Sequence, residues 1–130
     1  MPVTPPKRCC VLLVDDHADT LDSLTILLTR KGHLVLPAKD YATALLVADM
    51  TITAGIKVDL IISDVGLPDG DGVELMCELK RRLGCLTVAL TGHGMTDDVQ
   101  RCADAGVDRH LLKPVGAAQL DTEMRRLAGC

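Results

Sequence analysis

Leu60-Ile61-Ile62-Ser63-Asp64-Val65-Gly66-Leu67-Pro68-Asp69-Gly70-Asp71-Gly72 is the stretch that decides the fold. Its first half is an almost unbroken apolar run. A strand with one wet face would alternate apolar and polar residues. A run without alternation predicts a strand buried on both faces, as in a parallel sheet. Its second half is rich in Gly, Pro and Asp and reads as a turn-rich loop. A helical pattern follows over Val73–Leu83, ended by Gly84. Strand, turn and helix make one β-then-α unit.

The unit recurs on both sides. Toward the amino terminus, a strand over Cys9–Val14 precedes a helix over Ala18–Lys31. Leu21, Leu24, Leu27 and Leu28 form its apolar stripe, Asp16 is a plausible N-cap and Gly32 ends it. A short strand, Leu34–Leu36, is stopped by Pro37, then come a helix over Tyr41–Met50 and a loop over Thr51–Lys57. Toward the carboxyl terminus, a strand over Leu86–Leu90 leads to a helix over Asp97–Ala105. Thr96 can cap that helix, and Asp97 and Asp98 suit its positive end. A strand over Arg109–Leu112 and a helix over Gly116–Leu127 complete the series.

Five such units predict an α/β fold: a doubly wound five-stranded parallel sheet with five helices. Right-handed crossovers limit the topology, and the order 2-1-3-4-5 fits best. Pro-rich residues 1–8 read as a tail or linker, and 9–130 as one domain.

Composition narrows the class. The chain has 130 residues, 48% hydrophobic, with no Phe or Trp and only Tyr41 as an aromatic. Leu, Val, Ile, Ala and Met must fill the core. A net charge of −4 disfavours direct nucleic-acid binding, which needs clustered cations. No apolar run reaches the length of a membrane span, so no direct membrane contact is expected. The six cysteines form no C-x-x-C pair and no zinc spacing, and are read as reduced thiols of a cytoplasmic protein.

The ends of the apolar runs carry the chemistry. Asp15 and Asp16 follow strand one, Asp64 follows strand three (Asp59–Ser63), Thr91 follows strand four and Lys113 follows strand five. Singly, each has a plain explanation: an N-cap, turn chemistry, a solvated lysine. Jointly they fall on one edge of a parallel sheet, where such folds bind ligands. Three clustered carboxylates repel and call for a cation; Mg²⁺ suits them. A carboxylate can take up a phosphoryl group, while an ammonium and a hydroxyl meet the phosphoryl oxygens.

The motifs LLVDDH, ISDVGLPDGDG, ALTG and HLLKP, in this order, resemble the receiver domain of two-component response regulators and hybrid histidine kinases. The resemblance covers about residues 9–127, and the DVGLPDGDG wording is most similar to receivers of hybrid kinases. It implies a flavodoxin-like fold, Asp64 as phosphoacceptor, and Mg²⁺ held by Asp15, Asp16, Asp64 and the backbone carbonyl of Gly66. It implies Thr91 as switch hydroxyl, Lys113 as phosphate-pairing ammonium, and a cis Lys113–Pro114 bond. Gly72 would allow the turn into helix three. The partner implied is a histidine kinase or a histidine-phosphotransfer domain, with the chain a monomer or weak dimer.

Four positions stand out against the usual pattern. His110 stands where Phe or Tyr is common three residues before the lysine, as a switch or as an exposed imidazole. Gly92 follows the switch threonine, and His93 lies where relatives tune phosphoryl lifetime. Gly66 offers no side chain to shield the phosphoryl group. Arg101, Arg109 and Arg125 are expected on the signalling face of helix four, strand five and helix five. Two rivals remain: a phosphate-independent pseudo-receiver, and an aspartyl-phosphate phosphatase, which would need an acid where Gly66 stands. The parent would be a stand-alone receiver or a hybrid kinase.

Overall fold

β1 (Cys10–Val14) alternates its side chains between two cores. Val11 and Leu13 pack in one cluster, Leu12 and Val14 in the other, and all four are wholly buried. A strand that serves two cores has no polar face, which is why its sequence shows no alternation. Each fully buried Leu or Ile contributes roughly 1.5–3 kcal/mol. The structure, a computed structural model, describes residues 8–92 and 96–130.

The chain continues as α1 (Ala18–Arg30), β2 (Leu34–Ala38), α2 (Tyr41–Ala54), β3 (Leu60–Asp64), β4 (Gly66–Leu67), β5 (Gly70–Asp71), α3 (Gly72–Leu83), β6 (Leu86–Thr91), α4 (Thr96–Asp104), β7 (Arg109–Leu112) and α5 (Ala117–Ala128). The main sheet is parallel, in the order β2-β1-β3-β6-β7. Counting only its five strands, that is the expected 2-1-3-4-5. β4 and β5 form a separate antiparallel hairpin inside the loop after β3. Leu24 and Leu28 of α1 and Leu120 and Met124 of α5 pack with Val11 and Leu13 on one face. Ala44 and Ala48 of α2, Leu75, Met76 and Leu79 of α3, and Cys102 of α4 cover the other.

Register sets up the site. Val14 pairs with Ser63, so Asp15 and Asp64 emerge side by side. Asp64 pairs with Leu90, and Thr91 with Leu112, which brings Lys113 to the same edge. Lys113 N–H donates to the Thr91 carbonyl at 2.7 Å.

Several boundaries differ from the sequence expectation. β2 runs through Pro37 to Ala38, which an edge strand permits because the missing N–H would face solvent. α2 continues to Ala54, with Thr51 buried and its hydroxyl donating to the Ala48 carbonyl at 2.7 Å. Gly55, at φ 71°, ends it. The N-cap of α1 is His17, not Asp16, and its side chain makes no capping bond. α4 begins at Thr96; the side chains of Thr96 and Asp98 lie outside the described residues.

The cysteines also need correction. Cys9 and Cys130 are disulfide-bonded, with Cα atoms 5.9 Å apart, in the range such a bridge requires. The residue before β1 and the residue after α5 meet only in the folded chain, across 121 positions, so spacing could not reveal the pair. Cys10, Cys77, Cys85 and Cys102 are not disulfide-bonded. Burial pushes the Cys85 thiol up to about 11, so it behaves as a small hydrophobe. Among the described residues, no helix is long and apolar enough to cross a membrane.

Candidate metal and phosphoacceptor site

Asp15 is wholly buried. Its Oδ1 accepts the backbone N–H of His17 at 2.9 Å. Its Oδ2 lies 2.8 Å from Lys113 Nζ, yet makes no hydrogen bond of proper geometry. Asp64 is half-buried at the tip of β3. Its Oδ2 accepts from Lys113 Nζ at 2.9 Å, and its Oδ1 from Gly66 N–H at 3.2 Å. One ammonium therefore bridges two carboxylates. Burial works against the charged lysine, but Asp15 and Asp64 outweigh it and hold the Lys113 pKa above the ordinary value. Asp16 and His17 complete the rim, both exposed.

Asp15, Asp16, His17 and Asp64 each offer one ligand atom, all within 4.8 Å of one another. Three carboxylates face a single lysine, and one buried oxygen has no directed donor. This donor set fits a hard divalent cation. The acidic cluster is thus assembled as expected at Asp15, Asp16 and Asp64.

Thr91 lies at the same edge, buried, with its hydroxyl donating to the Leu111 carbonyl at 3.4 Å. His110 is exposed on β7. Gly92 is half-buried at the start of the next loop. His93 lies outside the described residues. The Lys113–Pro114 peptide is cis. Gly66 has open space where a side chain would stand. Gly72 is different: a Cβ there would overlap the Asp64 carbonyl oxygen and come within 2.8 Å of Val65 Cα. The chain can turn from Asp64 into α3 only with glycine at this position.

Some contacts were not foreseen. Asp69 accepts the N–H groups of Tyr41 and Ala42, at 2.8 and 3.0 Å, and so ties the loop after β3 to the start of α2. Asp71 caps α3 through Val73 N–H at 2.8 Å and pairs with Arg101 of α4. Arg109 grips Glu123 through two bonds, and Arg125 lies 3.7 Å from Asp121. These arginines are paired rather than merely solvated. Only the Asp-Gly-Asp run hinted at the Asp69 and Asp71 contacts, and it read equally well as plain turn chemistry. A cleft of about 620 Å³ opens beside the carboxylates, lined by His17, Thr20 and Leu24 of the α1 region, with Leu90, Lys113 and Pro114 opposite.

The response regulator receiver domain family matches residues 11–125. The chain is 35% identical over 115 residues to the KDP operon transcriptional regulatory protein KdpE of Escherichia coli (strain K12), covering 88% of this chain and 49% of KdpE. It is 33% identical over 107 residues to the sensor histidine kinase RcsC of Salmonella typhimurium, covering 81% of this chain and 11% of RcsC. The chain thus spans half or less of these relatives. Among solved structures, a receiver domain protein from Clostridium thermocellum superposes with a TM-score of 0.81 at 26% identity, covering 92% of this chain and 94% of that one. The chain belongs to the response regulator receiver domain family.

Proposed function

We propose that this domain takes a phosphoryl group from a phosphohistidine onto Asp64, in a Mg²⁺-dependent step of a two-component phosphorelay. The single observation that carries this is the Lys113 ammonium, one cation shared between the Oδ2 atoms of Asp15 and Asp64 at 2.8 and 2.9 Å, with Asp16 adding a further carboxylate to the cluster. That is a site short of positive charge.

Mg²⁺ held by Asp15, Asp16, Asp64 and the Gly66 carbonyl would neutralise charge on the incoming group. The donor's N–P bond breaks, the imidazole leaves with the electron pair, and an O–P bond forms to Asp64. Lys113 is already within reach of the acceptor carboxylate and would pair with a phosphoryl oxygen. Thr91 would give up its long bond to Leu111 and donate to another. The phosphoryl group, which carries roughly −1.5 to −2 of charge in place of the carboxylate's single charge, would draw in Thr91, with His110 following. The cleft beside α1 offers the donor protein an approach. The partner would be a histidine kinase or a histidine-phosphotransfer domain, and the setting cytoplasmic. Gly66 leaves the phosphoryl group open to water, and His93 would set its lifetime.

Incubation with acetyl phosphate and Mg²⁺ should add the mass of one PO₃ unit. The gain should vanish with chelator and in Asp64→Asn. Persistence of the gain in Asp64→Asn, or none in the native chain, refutes the proposal.

A further inference from the structure

His17 has no part in the proposed transfer, yet it faces the cluster. Its Nδ1 lies 3.5 Å from Asp15 Oδ1 and 3.6 Å from Asp16 Oδ1. Those separations are too long for hydrogen bonds. They match two donors on one ion: ligands about 2.1 Å from a metal at a tetrahedral angle stand roughly 3.4 Å apart. His17 is the N-cap of α1, but its side chain does not cap. It is 72% exposed, so turning it toward a cation requires little desolvation. Asp15, by contrast, is wholly buried, with Oδ1 on the His17 side and Oδ2 paired with Lys113 at 2.8 Å.

The geometry points to His17 as a fourth side-chain ligand, through nitrogen, that lets this site take borderline first-row divalent cations in addition to Mg²⁺. The inference rests on the metal site proposed above. Mg²⁺ prefers oxygen and keeps its waters, so it gains little from an imidazole. Nickel and zinc ions accept imidazole readily. With three carboxylates and one imidazole the site is a mixed N/O set, and His17 determines which metals it prefers.

The test uses the whole 130-residue chain and calorimetric titration with Ni²⁺ and with Mg²⁺. His17→Ala should weaken Ni²⁺ binding by on the order of tenfold or more. It should leave Mg²⁺ affinity within about twofold, because oxygen ligands hold that ion. His17→Asn, a small polar replacement, should behave like His17→Ala. Nuclear magnetic resonance gives a second readout. Ni²⁺ should produce paramagnetically shifted imidazole resonances in the native chain that are missing from His17→Ala. Equal Ni²⁺ affinity in native and variant chains, with Mg²⁺ still bound, overturns this assignment and leaves the phosphoacceptor reading standing. Failure of the native chain to bind either ion overturns both.

Discussion

Acidic side chains stand at both edges of the sheet, and the two edges use them in opposite ways. At the amino edge, a residue just before a strand takes an N–H from a neighbouring strand's start. Asp59 accepts from Cys10 at 2.9 Å, Asp108 from Thr87 at 2.8 Å, and the His33 imidazole from Cys9 at 3.1 Å. Lys80 adds a further bond to Asp108 at 2.8 Å, and the Cys9–Cys130 bridge closes this end covalently. At the carboxyl edge, Asp15 and Asp64 converge on one lysine and leave an oxygen of Asp15 without a directed donor. An aspartate at a strand terminus therefore says little by itself. A donor of its own makes it structural; convergence with others makes it a site.

Cutting the amino edge should have the largest effect on stability. Reducing Cys9–Cys130, or Cys130→Ser, should lower unfolding free energy by roughly 2–4 kcal/mol, read from urea midpoints, while phosphoryl uptake by the folded fraction stays unchanged. A smaller loss, roughly 1–3 kcal/mol, is expected from Asp108→Ala, because buried Thr87 N–H keeps its place without an acceptor.

The pH dependence separates the same edge further. Burial holds the His33 pKa below its ordinary 6.5, and the bond from Cys9 requires its neutral ring. A depressed pKa gives stability that is present above the ordinary value and lost as pH falls through the folded one. Stability should thus begin to decline below pH 6.5. Asp108 is also depressed: burial alone would raise it, but the Lys80 and Thr87 bonds outweigh burial. Its contribution is complete above the ordinary 3.8 and lost as pH drops through the lower folded value. Acid titration of stability should therefore show two declines, and Asp108→Asn should remove the more acidic one.

The smallest effect is expected at the carboxyl edge. Asp16→Asn relieves repulsion at an exposed position and should alter stability by no more than about 0.5 kcal/mol. It should nevertheless weaken Mg²⁺ binding measured by calorimetry. A large loss of stability there would erase the contrast between the edges.

The sheet was legible because continuous apolar runs have one physical explanation, burial on both faces, and because Gly and Pro punctuate them. The cluster of Asp15, Asp16, Asp64 and Lys113 was legible because strand ends of a parallel sheet share an edge. What escaped depended on contacts between segments far apart in the chain. The end of α2 was hidden by the β-branched run Thr51-Ile52-Thr53, which packs as helix because Thr51 is buried. The Cys9–Cys130 bridge, the Asp69 contact with α2 and the Asp71–Arg101 pair join distant positions. His17 was visible beside two aspartates, but only the structure turns its Nδ1 toward them.

The central claim is that the convergent edge, and Asp64 in particular, accepts a phosphoryl group. Treating the phosphorylated chain with borohydride, which reduces an acyl phosphate but leaves free carboxylates intact, and sequencing its peptides by mass spectrometry tests this most directly. The account predicts reduction at position 64 alone. Reduction at Asp15 or Asp16, at Asp59 or Asp108, or at no aspartate would contradict it.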